Sequence, residues 1–144
     1  MLIRKMTMED VEAVTKIEQE CFSLPWSEKS FEDSISREDT IFLVCEEASI
    51  VTGYMGMYLS FDEASVTNVA VSPAFRKKGY GEQLVAVAKE KAKDAGAESI
   101  FLEVRVSNIP AISLYKKMGF EELGIRKKFY EHPVEDAIIM KVGI

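Results

Sequence analysis

The chain is short of the residues that build covalent or metal-tied scaffolds: 144 residues hold two cysteines, one histidine and one tryptophan. Cys21 and Cys45 are too few for a disulfide framework and are not at metal-ligand spacing. Both lie among apolar neighbours and read as small core residues. The sole histidine, His132 in EHPVED, has no Ser or Cys partner identifiable in sequence and reads as a solvated loop residue. Long apolar runs are missing too, well short of the roughly 18 residues a membrane span requires. The first residues, MLIRKMTMED, lack the apolar stretch of a signal peptide. Basic charge is also in deficit. With 18 Lys and Arg against 24 Asp and Glu, the net charge is −6, the opposite of a nucleic-acid-binding footprint. The expectation is a cytoplasmic protein without a membrane, nucleic-acid or metal partner. An acidic surface of this kind favours cationic partners by electrostatic steering.

What is present is an alternation of strand and helix patterns, with no repeat and no Pro/Gly-rich linker. Residues 2–6 read as a short strand. A helix follows from Thr7, with Asp10 in a capping-box-like position and Val11, Val14, Ile17 and Cys21 at helical spacing. Glu9, Asp10 and Glu12 look like its solvated face. After the break at Pro25-Trp26-Ser27, Ser27 caps a second helix carrying Phe31 and Ile35. Ile41–Cys45, Ile50–Leu59 and Ala64–Val71 read as an antiparallel meander. A helix over about Gly81–Ala95, its apolar face Leu84, Ala88, Ala92 and Ala95, is ended by Gly96. Ser99–Val104 is a strand reached by a helical crossover, so it should run parallel to Ala64–Val71. Asn108 begins a last helix that Gly119 ends, and 120–128 with 136–142 form a closing hairpin. The expected architecture is α/β: one domain over 1–144, a mixed sheet of about seven strands flanked by about four helices.

One junction carries chemistry. In VAVSPAFRKKGYGEQL, Val69–Leu84, a β-branched run gives way to a basic cluster, two close glycines and a helix. A Walker loop is excluded because no lysine followed by Ser or Thr is present there. A dinucleotide fingerprint is excluded because Leu84 stands where its third glycine belongs. R-x-x-G-x-G survives: Gly79 and Gly81 let backbone approach a ligand, and free amides at the helix start face an anion. A plain structural turn with a solvated basic edge fits the same residues.

A second motif, NIPAISLYKKMGF from Asn108 to Phe120, follows in order and at suitable spacing. Together the two resemble the Gcn5-related N-acetyltransferase superfamily, in which R/Q-x-x-G-x-G/A cradles the pyrophosphate of acetyl-coenzyme A and N-x-x-A-x-x-L-Y-x-x-x-G-F follows. The likeness spans essentially the whole chain. It implies that superfamily's fold and acetyl-coenzyme A as co-substrate, held by Arg76, Lys77, Lys78, Gly79, Tyr80, Gly81 and Glu82. It also gives Val69, Ala70 and Val71, core residues by their side chains, a backbone role: pairing with pantetheine as another strand would. PWS at 25–27, FLEVRVSN at 101–108, EDAIIM at 135–140 and RKKFY at 126–130 are similar to the RimI type, which acetylates the N-terminal alanine of a small-subunit ribosomal protein. Phe129 and Lys128 depart from its RR/RKNYY segment.

The chemistry needs a neutral amine to attack a thioester. An α-amine, with a reference pKa of about 7.7–8.0, is far closer to neutrality than a lysine at about 10.4. A carboxylate can take the amine's proton and an acid can support the departing thiolate. Glu103, by its residues alone a solvated strand-end glutamate that Arg105 could pair, becomes the general base by resemblance. Tyr115, otherwise a core tyrosine with its hydroxyl at the surface, becomes the general acid. Asn108 caps the last helix, and the resemblance adds a place beside pantetheine. By analogy Trp26 and Tyr130 line the acceptor pocket; packing is their other reading. The implied activity is N-terminal acetylation of a basic ribosomal-protein tail. Acetylation of a small amine or a lysine on the same fold is the alternative, and a non-catalytic acyl-coenzyme A sensor is a third.

Overall fold

The computed structural model describes all residues, 1–144. Eleven elements follow in the expected order: β1 (Leu2–Lys5), α1 (Val11–Cys21), α2 (Glu28–Ile35), β2 (Thr40–Glu47), β3 (Ile50–Ser60), β4 (Glu63–Val71), α3 (Tyr80–Asp94), β5 (Ser99–Arg105), α4 (Ile109–Lys117), β6 (Glu121–Tyr130) and β7 (Glu135–Gly143). They form one seven-stranded sheet ordered β1-β2-β3-β4-β5-β7-β6. Every neighbouring pair is antiparallel except β4 and β5. That is the parallel pair the crossover through α3 demands.

Alternation along the central strands sends side chains to two cores. Leu43, Cys45, Met55 and Met57 meet Leu84, Val85, Ala88 and Ala92 of α3 on one face. Phe42, Val44 and Tyr54 meet Val14 and Ile17 of α1 and Phe31 of α2 on the other. Phe31 stands edge-on to both Phe42 and Tyr54, and the Trp26 ring closes this aromatic group 5.2 Å from Phe31. Each fully buried Leu or Phe side chain contributes roughly 1.5–3 kcal/mol. The Phe42 ring lies against Gly56, where a Cβ would come within 2.2 Å of it.

Local details differ from expectation. The segment after Thr7 is a 3-10 turn over Met8–Asp10 before α1 begins. Asp10 is buried rather than solvated, because Arg4 forks onto its two oxygens at 2.7 and 2.8 Å. That ion-paired hydrogen bonding holds the Asp10 carboxyl below the usual carboxylate range. Ala95 lies at the exposed end of α3, and after Gly96 turns the chain at φ +95°, Ala97 fills the core instead.

The pairing of β4 with β5 is short. Glu63, Ala64 and Ser65 face Ser99, Ile100 and Phe101, and there it stops. At the same point β4 carries an extra residue: Gly56 pairs with Asn68 and Met57 with Val66, leaving Thr67 bulged. A bulge bends and twists its strand. Beyond Ser65 the two strands part, and a cleft opens between them.

Candidate active site

The cleft holds about 660 Å³. One wall is Val66–Val69 of β4 and the other Leu102–Arg105 of β5. Its ends are closed by the α1–α2 connection (Phe22–Leu24 and Trp26), by Asn108 and Tyr115, and by the β6–β7 connection (Phe129–Pro133). Of the residues singled out in sequence, Glu103, Tyr115, Asn108, Val69, Trp26 and Tyr130 all line this one space.

Glu103 sits in mid-strand on β5, whose alternation turns Leu102 and Val104 into the core. Its carboxylate is about one-third exposed, and the nearest cation is Arg126 of β6 at 3.9 Å. The pairing with Arg105 considered from sequence does not form. Arg105 turns instead to the β6–β7 connection, bonding Glu135 at 3.0 Å and the carbonyls of Pro133 and Glu131 at 3.0 and 3.1 Å. Its guanidinium also covers the Tyr130 ring at 4.4 Å. Glu135 completes the knot by accepting the Ser107 amide at 2.7 Å, which helps hold its carboxyl below the ordinary value. Tyr130 lies half-buried at the mouth, its phenol raised to about 12 by burial and then by the Glu103 charge.

Tyr115 is presented by α4, whose start is fixed by Asn108: the Asn108 side chain accepts the Ala111 amide at 3.3 Å, and Pro110 occupies the first turn. The Tyr115 ring is 5% exposed and packs on Phe120 at 5.6 Å. Its hydroxyl is not sealed off and opens to the cleft. Burial drives its acidity far below that of a free phenol, so it carries its proton throughout the neutral range.

The phosphate-type turn lies beside this space, not in its walls. Lys77 and Gly79 both take positive φ, +63° and +82°, and α3 starts at Tyr80. The first helical backbone bond runs from the Gln83 amide to the Gly79 carbonyl at 3.1 Å. The amides of Tyr80, Gly81 and Glu82 therefore point out of the helix end. Around Gly79 nothing lies within 4 Å of a Cβ position, whereas at Gly81 a Cβ would press on Leu114 at 3.2 Å. Side chains here have other work: Tyr80 is in the core, and Glu82 pairs with Lys117 of α4 at 3.0 Å. Lys77 and Lys78 are exposed. Arg76 ties the turn to the cleft end, its Nε donating to the Val71 carbonyl at 3.1 Å and its Nη2 lying 3.2 Å from the Cys21 sulfur. Ala70 faces away, buried against α1 and α2, leaving only its backbone for a role here.

One residue escaped the sequence reading. Glu18, on α1, is 3% exposed and reaches the cleft among Trp26, Asn68 and Cys21. A signal was available: Glu18 falls four residues after Val14 and three before Cys21, a carboxylate on an apolar stripe.

Residues 11–120 match the acetyltransferase (GNAT) family, and the chain belongs to that family. A Bacillus subtilis relative, provisionally named a ribosomal protein bS18-alanine N-acetyltransferase, is 41% identical over 99% of this chain and 95% of its own. The Escherichia coli K12 ribosomal protein bS18-alanine N-acetyltransferase is 33% identical over 99% and 97%. The crystal structure of the E. coli ribosomal-protein-S18-alanine N-acetyltransferase superposes with a TM-score of 0.91 over 99% of this chain and 93% of that one, at 32% identity. Ard1 from Thermoplasma volcanium gives 0.91 at 27% identity, covering 99% and 97%. No helix of the structure is long and apolar enough to cross a membrane.

Proposed function

We propose that this chain transfers the acetyl group of acetyl-coenzyme A to a protein N-terminal α-amine, that of alanine on a basic ribosomal-protein tail. The observation that carries the reading is the convergence of Glu103 and Tyr115 on one cleft bordered by unpaired β4 backbone. The names of the relatives support the same substrate class. The residues present fit the co-substrate: outward amides of Tyr80–Glu82, open space over Gly79, and a β4 edge that β5 leaves unpaired along Val66–Val71, of which the Val71 carbonyl is taken by Arg76. Pyrophosphate at the turn and pantetheine along Val69–Val71, with Asn108 near the arm, would bring the thioester between the walls.

The amine attacks the acetyl carbonyl, and its nitrogen loses a proton to Glu103. The C–S bond then breaks, and the thiolate takes the electron pair. Tyr115 donates a hydrogen bond to that sulfur as its charge develops. A phenol is already a weaker acid than a thiol, and burial weakens this one further. Tyr115 therefore keeps its proton and only hydrogen-bonds the departing thiolate, while the amine's proton stays on Glu103 until solvent takes it. In this reading Trp26 and Tyr130, both lining the cleft, border the acceptor end. The test is a peptide with a free N-terminal alanine and internal lysines, located by fragmentation mass spectrometry after reaction. Acetyl on the α-amine is expected; acetyl on the lysines with a free terminus overturns the reading.

A further inference from the structure

Glu18 joins three separate pieces of the fold. Its Oε1 accepts the Tyr54 hydroxyl of β3 and lies 3.4 Å from the Asn68 amide nitrogen of β4. Its Oε2 accepts the backbone amide of Trp26 at 3.0 Å. All three partners are neutral donors, so both carboxylate oxygens are used and no cation competes for them. Tyr54 is held firmly as a donor, because burial and the adjacent carboxylate push its phenol far above the ordinary value. The Trp26 contact matters most. Residues 22–26 form the α1–α2 connection, an exposed stretch except for the half-buried Trp26. The Phe22 amide still closes α1 on the Glu18 carbonyl at 3.0 Å, but no backbone–backbone bond holds residues 23–26.

We infer that Glu18 is a positioning residue which fixes the acceptor wall of the cleft by clamping the 22–26 segment onto β3 and β4. This rests on the proposed reading, in which that segment borders the acceptor. A carboxylate is needed because a carboxamide has one acceptor oxygen only. In Glu18→Gln, an oxygen turned to Tyr54 and Asn68 sets NH₂ against the Trp26 N–H, and the opposite orientation sets it against the Asn68 amide. One arm of the clamp must fail while shape is conserved.

Trp26 is the sole tryptophan, so its emission reports the segment without any turnover. In Glu18→Gln, acrylamide quenching should increase and emission should shift to the red. The KM for an alanine-terminated peptide should rise roughly tenfold, the scale of one charged hydrogen bond, while the KM for acetyl-coenzyme A stays within about threefold. Emission and peptide KM both unchanged overturn the inference. So does a lowered melting temperature with unchanged peptide KM, which marks a purely structural role. If Glu18→Gln does not fold, Tyr54→Phe, which removes one donor, must show the same pattern at smaller size; no change there also overturns it. Failure of the functional reading is distinct: wild-type protein would then leave the alanine terminus unmodified, whatever Trp26 does.

Discussion

At the scale of single residues, the proposed base Glu103 and the proposed hydrogen-bond donor Tyr115 lie in opposite surroundings. A base must be reachable by solvent-borne amine, and Glu103 is partly open. A phenol that is to donate a hydrogen bond without ionising is best buried, and Tyr115 is. Glu103→Gln and Tyr115→Phe should each lower kcat by about 10²–10⁴-fold, with coenzyme affinity nearly intact by calorimetry. Raising pH should partly rescue Glu103→Gln, since more of the amine is then already neutral. The wild-type rate should not fall through loss of the Tyr115 proton between pH 7 and 9, because its titration lies far higher. Sequence made these two residues legible only through their motif. By composition Glu103 was an ordinary strand-end glutamate, and its true neighbour, Arg126, comes from a strand placed by the β5-β7-β6 order. Glu18 was illegible for a related reason: its partners lie 8, 36 and 50 residues away, beyond any local pattern.

At the scale of elements, the periodic segments announced themselves, because α3 and the meander bury one face each and must alternate accordingly. Details were less legible where a side chain of one element reached the next. The Arg4–Asp10 fork is the example, burying a residue that looks solvated in sequence. Asp10→Ala should therefore cost on the order of 1–3 kcal/mol in denaturant unfolding, leaving Arg4 only Glu46 and the Lys5 carbonyl and the Thr7 amide without its side-chain acceptor. The turn before α3 permits a cleaner dissection. Gly79→Ala meets no side chain, so its cost is backbone strain at φ +82°, about 1–2 kcal/mol. If the turn holds the pyrophosphate as proposed, the alanine methyl occupies that space, and coenzyme affinity should fall strongly while the melt stays cooperative. Gly81→Val is expected to do more, since it pushes Leu114 and with it the helix that carries Tyr115. Its kcat should drop as well as its coenzyme affinity.

For the molecule as a whole, two effects follow from charge and burial. With a net charge of −6, association with a basic peptide is accelerated by attraction, so kcat/KM for such a peptide should fall as salt screens the field, and that for a neutral peptide much less. Alkaline stability has a defined sign. Tyr54 and Tyr115 are raised in the folded state by burial, so their contribution is complete below the unfolded phenol value of about 10 and is lost as pH climbs beyond it. Melting temperature should decline above pH about 10, and less steeply in Tyr54→Phe.

The early end of the β4–β5 pairing has a consequence for how the molecule holds together over time. Along the cleft, the sheet is two half-sheets, β1–β4 and β5–β7, whose pairing ends at Ser65 and Phe101. A bound pantetheine arm would act as a removable staple across that seam. Amide hydrogen exchange in Val66–Val71 should then slow on adding coenzyme, while exchange in β2 stays as it was. The whole fold should gain RT ln(1 + [L]/Kd) in stability. Resistance to proteolysis would accordingly track the coenzyme concentration, whether or not the coenzyme carries an acetyl group.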